Sequence, residues 1–184
     1  MHAAFGCLRQ GCAVLLLCCV CLGAPAQNIK ATSADLKAVY LLKLPSFVEW
    51  PASAAQEATF VIVVVEADDV LHALEELSRS AKIMGRPVRV LRGSKDEAVG
   101  AAQLVFFGAA VRGLPAAVGR VRTDGTLIVS EQPSGLAEGA ALRFVESGGR
   151  IRFEAAPDNA ARHGVKLSAR LLAVAARVEG ASAP

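Results

Sequence analysis

The chain has 184 residues, 53% hydrophobic and 20% charged, with a formal net charge of +3. That length suits one domain, and the apolar fraction is enough to bury a core, which excludes a wholly disordered chain. The near-neutral balance and scattered basic residues exclude a nucleic-acid-binding footprint.

The first 26 residues differ from the rest. They hold all five cysteines (Cys7, Cys12, Cys18, Cys19 and Cys21), a short basic start with Arg9, and the apolar run Ala13–Leu22. Ala24-Pro25-Ala26 places small residues at the −3 and −1 positions, so residues 1–26 read as a secretory signal peptide cleaved before Gln27. A membrane span needs about 20 apolar residues, twice this run. Residues 27–184 are then expected to form a single exported domain, with its core about 33–177. That part has no cysteine. A thiol redox sensor, a thiolate enzyme and a cysteine-ligated metal site are thereby excluded.

Taken in chain order, a helix is predicted after Ser33 as N-cap, striped by Leu36, Val39, Tyr40, Leu44 and Phe47. Pro45 should interrupt it, and Trp50-Pro51 should end it. Thr59–Val65 is a continuous β-branched run, expected as a strand buried on both faces. Asp68 and Asp69 are expected to cap a helix whose apolar face is Val70, Leu71, Leu74 and Leu77. Arg86–Arg92 reads as a half-exposed strand and Gln103–Phe107 as a buried one. A short helix between Ala109 and Val118 and a strand at Thr126–Ser130 complete a βα alternation that predicts parallel crossovers. Leu142–Val145 and Ile151–Glu154 flank Ser147-Gly148-Gly149-Arg150, a hairpin signal. A helical turn after Pro157 ends at Gly164. The spacing of Leu167, Leu171, Val174, Ala175 and Val178 predicts a closing helix docked on the sheet. The expected fold class is α/β: a single-domain three-layer sandwich with a mostly parallel sheet, an added C-terminal β-hairpin and a docked C-terminal helix.

The catalytic inventory is thin. His72 lies among polar helix positions, and His163, just before Gly164, reads as a favourable charge near a helix C-terminus. Neither fits a metal-ligand spacing, and no phosphate-binding glycine loop or nucleophile elbow is present. Asp68/Asp69 and Glu75/Glu76 are adjacent pairs, whereas acid–base work needs carboxylates converging across a cleft. An enzyme is not the expected class; neither a cofactor nor a metal site is expected.

Two stretches stand out. Phe47-Val-Glu49-Trp50-Pro51 gathers the single tryptophan, an acid and a proline at a helix end; such aromatics anchor interfaces, and they also close helices onto cores. On Arg150-Ile-Arg152-Phe-Glu154 the charges alternate onto one strand face. They are either solvated surface charges or, with Arg162 and Lys166 folded nearby, a basic patch for an anionic ligand or partner.

These same stretches carry a resemblance. Lys37-Ala-Val-Tyr-Leu-Leu-Lys-Leu-Pro-Ser-Phe-Val-Glu-Trp-Pro51 resembles the opening helix of the YfiR family, which runs KAAFLYNFxKFVEWP after a signal peptide. Gly149-Arg-Ile-Arg-Phe-Glu154, Asn159-Ala-Ala-Arg162 and Gly164-Val-Lys-Leu-Ser168 with Leu171, Leu172 and Ala175 are similar to the family's closing pattern. Gly85–Val88, Leu104–Phe107 and Leu127–Ser130 fall between them in the family order. The resemblance covers about residues 33–177, and its two ends are the specific part. Departures are Pro45 in the first helix, Ser130-Glu131-Gln132 where the family often has an acidic residue after the fourth strand motif, and the absence of cysteine after residue 26.

The resemblance implies a periplasmic, non-catalytic α/β regulator. Its best understood role in the family is to hold an inner-membrane diguanylate cyclase inactive through the cyclase's periplasmic sensor domain, lowering cyclic di-GMP and biofilm formation. Relatives tied to sensor kinases or outer-membrane receptors imply a second reading, a periplasmic small-ligand sensor that partners a histidine kinase or receptor. The first reading puts the partner contact on Tyr40, Phe47, Glu49, Trp50 and Pro51, with a homodimer covering that surface. The second puts an anionic ligand on Arg150, Arg152, Arg162 and Lys166, or a pocket at the carboxyl ends of the strands near Glu66–Asp69 or Gly108–Val111.

Overall fold

The structure is a computed structural model that describes residues 31–97, 99–121 and 124–180; the expected signal peptide lies outside them. Helix α1 (Ser33–Lys43) starts one residue earlier than its sequence suggests, because Thr32 rather than Ser33 is the cap. The Asp35 amide donates to Thr32 Oγ1 at 3.1 Å, and the Thr32 amide donates to the Asp35 carboxylate at 2.8 Å. This reciprocal box satisfies two amides that a helix start leaves free. Pro45 acts as expected: the α-helix stops at Lys43 and a 3-10 turn takes over at Leu44–Phe47. Two-residue strand β1 (Val48–Glu49) and helix α2 (Ala52–Ala55) follow, the latter entered from Pro51.

Then come β2 (Phe60–Val65), α3 (Asp68–Ser78), β3 (Lys82–Ile83), β4 (Arg86–Gly93), β5 (Leu104–Phe107), α4 (Leu114–Val118) and β6 (Leu127–Ser130). The chain closes with β7 (Leu142–Ser147), β8 (Arg150–Ala155), α5 (Pro157–Arg162), β9 (Lys166–Leu167), α6 (Ala169–Ala173) and β10 (Arg177–Val178). Eight strands form one sheet in the order β10-β8-β7-β6-β5-β2-β4-β3. Strands β4, β2, β5, β6 and β7 run parallel, and β8 returns antiparallel to β7. The turn between them is Gly148-Gly149, both at positive φ, as a two-residue hairpin turn requires.

Both faces of the sheet are covered, which is why β2 and β5 are apolar throughout and β6 is apolar up to its last residue, Ser130. Along β2, Phe60, Ile62 and Val64 pack in a cluster with Ala38 and Leu41 of α1 and Val70, Leu71 and Leu74 of α3. The alternate residues Val63 and Val65 pack with Leu114, Ala117 and Val118 of α4. The result is the expected three-layer α/β sandwich with a mostly parallel sheet and a C-terminal hairpin.

Local departures have physical causes. Asp68 and Asp69 lie inside the first turn of α3, with Ala67 at the cap position, and they favour the helix through its dipole. Leu77 is exposed, one turn beyond the part of α3 that meets the sheet. Helix α4 begins only at Leu114, after Gly113 at positive φ. The closing helix is five residues long. Leu171 is its buried residue, Leu167 and Val178 belong to flanking strands, and Val174 is exposed.

Candidate functional site

The segments at the two ends of the domain meet. Strand β1 pairs antiparallel with β9, Val48 opposite Leu167 and Glu49 opposite Lys166, and the Ser168 amide donates to the Phe47 carbonyl at 3.0 Å. Period-2 alternation then decides the faces. Val48 and Leu167 are buried, while Glu49 and Lys166 point outward and pair at 3.1 Å. Phe47 is half-buried beneath the Arg170 guanidinium, 5.5 Å from the ring centre.

Trp50 is half-buried with its polar edge satisfied: Nε1 donates to the Pro45 carbonyl at 2.9 Å. Its ring meets Phe60 edge-on, and Arg86 covers the Phe60 ring 5.1 Å from its centre. Arg86 also donates to the Ala54 carbonyl at 2.8 Å, fixing α2 beside the start of β2. Pro51 backs onto Gly125, where an added Cβ would lie 3.0 Å from Pro51 Cγ and 2.5 Å from Ala54 Cβ; only glycine fits there. Four of the five expected partner-contact residues, Phe47, Glu49, Trp50 and Pro51, therefore surround one ribbon. Tyr40 does not join them. Its hydroxyl donates to the Ile151 carbonyl at 3.3 Å and its ring packs on Phe144, so it closes the β8 edge. The ribbon presents aromatic surface beside an exposed ion pair, which is chemistry suited to docking.

The four basic candidates are distributed over three elements. Arg150 and Arg152 project from the exposed face of β8, Arg162 donates to Asn159 Oδ1 at 3.1 Å, and Lys166 belongs to the ribbon. Among the described residues no hydrogen bond or ion pair joins any two of them. Glu154, the third charge on that strand face, sits between Arg143 at 2.7 Å and Arg177 at 3.0 Å. The Arg177 hydrogen bond, with further help from Arg143, holds its carboxyl below the usual range.

His163 corrects a sequence expectation. It is buried, and Nδ1 has no hydrogen-bond partner among the described residues. Burial, reinforced by the Arg162 charge, pushes its pKa down, so it is a neutral packing residue and not a helix-end cation. Its carbonyl accepts from the Gly125 and Thr126 amides at 3.0 and 3.1 Å. Asn159 is the buried polar hub that residue-type reasoning passes over. Its Nδ2 donates to the Leu136 carbonyl at 2.7 Å and the Ala140 carbonyl at 2.9 Å, tying α5 to the loop after β6.

At the carboxyl ends of β5 and β6 lies a small cleft of about 180 Å³, lined by Lys37, Ala109, Glu131, Phe144 and Glu146. Lys37 Nζ is 2.6 Å from Glu131 Oε1, and each side chain is 14% exposed. Ser33 donates to Glu146 at 2.9 Å. Near the other expected pocket position, Glu66 pairs with Lys95 at 3.2 Å.

No helix among the described residues is long and apolar enough to cross a membrane. A comparison with curated proteins finds no match. The profile described as YfiR/HmsC-like matches residues 34–176, from the first turn of α1 to the edge of β10, and so spans both strands of the ribbon. The chain belongs to the YfiR/HmsC-like family.

Proposed function

We propose that the protein is an exported repressor that holds an inner-membrane diguanylate cyclase inactive through its periplasmic sensor domain, lowering cyclic di-GMP and biofilm formation. The observation that carries this reading is the family match over residues 34–176, since the family is one of periplasmic regulators of diguanylate cyclase signalling rather than of enzymes. Repression is a population shift: the protein must bind the partner's inactive state better than its active one, and the difference in affinity sets the extent of control. The β1–β9 ribbon supplies a surface for this, with Phe47 and the edge of Trp50 as anchors and the Glu49–Lys166 pair setting charge preference. Self-association into a homodimer would cover the same surface in the free protein. In this reading residues 1–26 direct export and are removed.

Crosslinked pull-down of the tagged protein from native membranes, with cyclic di-GMP assayed in a deletion strain, tests the proposal. Capture of a cyclase together with raised cyclic di-GMP is the expected result. Exposed Glu49 is the informative position within it: Glu49→Lys should weaken capture without unfolding the protein. Capture of a histidine kinase or receptor with cyclic di-GMP unchanged would overturn it.

A second reading, a small-ligand sensor partnering a kinase or receptor, is favoured by one observation. The cleft beside the Lys37–Glu131 pair lies at the carboxyl ends of parallel strands, where α/β sheets bind ligands.

A further inference from the structure

The two edges of the sheet are finished differently. On the β10 side the outward carbonyls of β8 are used in turn: Ile151 accepts from the Tyr40 hydroxyl at 3.3 Å, Phe153 from the Ala176 amide at 2.8 Å, and Ala155 from the Glu179 amide at 2.8 Å. On the other side β3 covers β4 only at Arg86 and Pro87. From Val88 to Gly93, β4 pairs with β2 along its inner side, and no strand, turn or side chain among the described residues hydrogen-bonds to its outer side. A sheet edge of that length is a template for another strand.

Beside this edge runs a groove of about 480 Å³ between the end of α3 and β4. Half-buried Val88 and Val90 form part of its wall. Three cations, Arg79, Lys82 and Arg89, line it and no carboxylate does. Arg79 is paired with Glu76 at 2.7 Å, whereas Lys82 and Arg89 have no ion-pair partner among the described residues. Charges on an edge strand also discourage aggregation. A groove with apolar walls and one sign of charge goes further, because it favours an occupant of opposite sign.

A second copy of this chain suits the groove less well than an acidic segment. Pairing centred on Arg89 would set Arg89 opposite Arg89, and like charges directly opposed destabilise a strand pair, while the groove lining offers no carboxylate to answer a second copy's cations. We propose that the open edge of β4 is a docking site for an extended acidic segment of a partner protein, which adds to the sheet as a further strand with its carboxylates over Arg79, Lys82 and Arg89. Main-chain hydrogen bonds to Val88–Gly93 supply the affinity, and the cationic groove supplies the selectivity. This surface is separate from the β1–β9 ribbon and does not depend on what that ribbon binds.

The test uses the isotope-labelled protein and two end-blocked hexapeptides, one alternating Glu and Val, the other Lys and Val. The acidic peptide should shift the amide resonances of Val88–Gly93, slow their solvent exchange, and bind more weakly as salt rises; the basic peptide should leave those resonances and their exchange unchanged. Lys82→Glu with Arg89→Glu, both at exposed positions, should weaken the acidic peptide by about tenfold or more while leaving the remaining spectrum intact. Equal response to both peptides, no response at millimolar acidic peptide, or shifts confined to other elements would overturn the proposal. Concentration-dependent shifts of β4 without peptide would also overturn it, assigning the edge to a second copy.

Discussion

Trp50 stands edge-on to Phe60, ring centroids 5.5 Å apart and planes at 86°, while its Nε1 hydrogen closes back on the Pro45 carbonyl. The tryptophan therefore braces the entry to β2 before it presents anything to a partner. Trp50→Ala should cost about 2–3 kcal/mol, less than a fully buried tryptophan, with unfolding still cooperative in urea. Trp50→Phe keeps most of the packing and loses one hydrogen bond, so it should cost about 1 kcal/mol.

Asn159 offers a sharper break. Replacing it by Ala leaves the Ala140 carbonyl without its side-chain donor, while the Leu136 carbonyl keeps only the Gly139 amide at 3.1 Å. Chemical denaturation should show a loss of about 1–3 kcal/mol. A near-neutral result would mean that water replaces the amide.

The buried His163 gives stability a pH dependence whose sign is fixed. Its native pKa is depressed below the ordinary 6.5, so below that pH the unfolded chain takes up a proton that the native state refuses. Stability should fall as pH drops through 6.5 and stop falling further, for this group, below the native pKa. His163→Gln should flatten that part of the curve. The Glu154 contribution, by contrast, is intact above its ordinary value of 4.5 and is lost in more acid solution.

Lys37 and Glu131 form the least exposed ion pair among the described residues. Lys37→Met alone leaves a largely buried carboxylate without its cation and should cost about 1–2 kcal/mol, since the cleft beside it can admit solvent. The double replacement with Glu131→Leu should cost less than the sum of the two singles; a double-mutant cycle that adds to zero would make the pair incidental.

The sheet was legible because its information is local. Phe60–Val65 and Leu104–Phe107 are apolar without interruption, as a strand covered on both faces requires, and Gly148-Gly149 marks its own hairpin. The closing helix was misread because Leu167, Leu171 and Val178 do share a helical spacing. The two outer residues are in fact recruited by strands only two residues long, too short to leave a period. At the candidate site, Phe47–Pro51 stood out by composition, yet its pairing with Lys166–Ser168 depends on a contact no local pattern encodes. His163 and Asn159 were opaque for a related reason: their burial is set by how α5 seats against the loop after β6.

The β1–β9 ribbon also governs the order in which the molecule can be completed. Glu49 and Lys166 are 117 positions apart, so the strand that the first motif forms has no partner until nearly the whole domain has been synthesised. Until then Val48, which faces Leu167, and Phe47, which Arg170 covers, are apolar surface without those partners, open to misassembly. Closing so long a loop also raises the contact order and slows the final step. Any chain cut short before Lys166 lacks the strand that β1 pairs with, and with it the cover that Leu167 gives Val48.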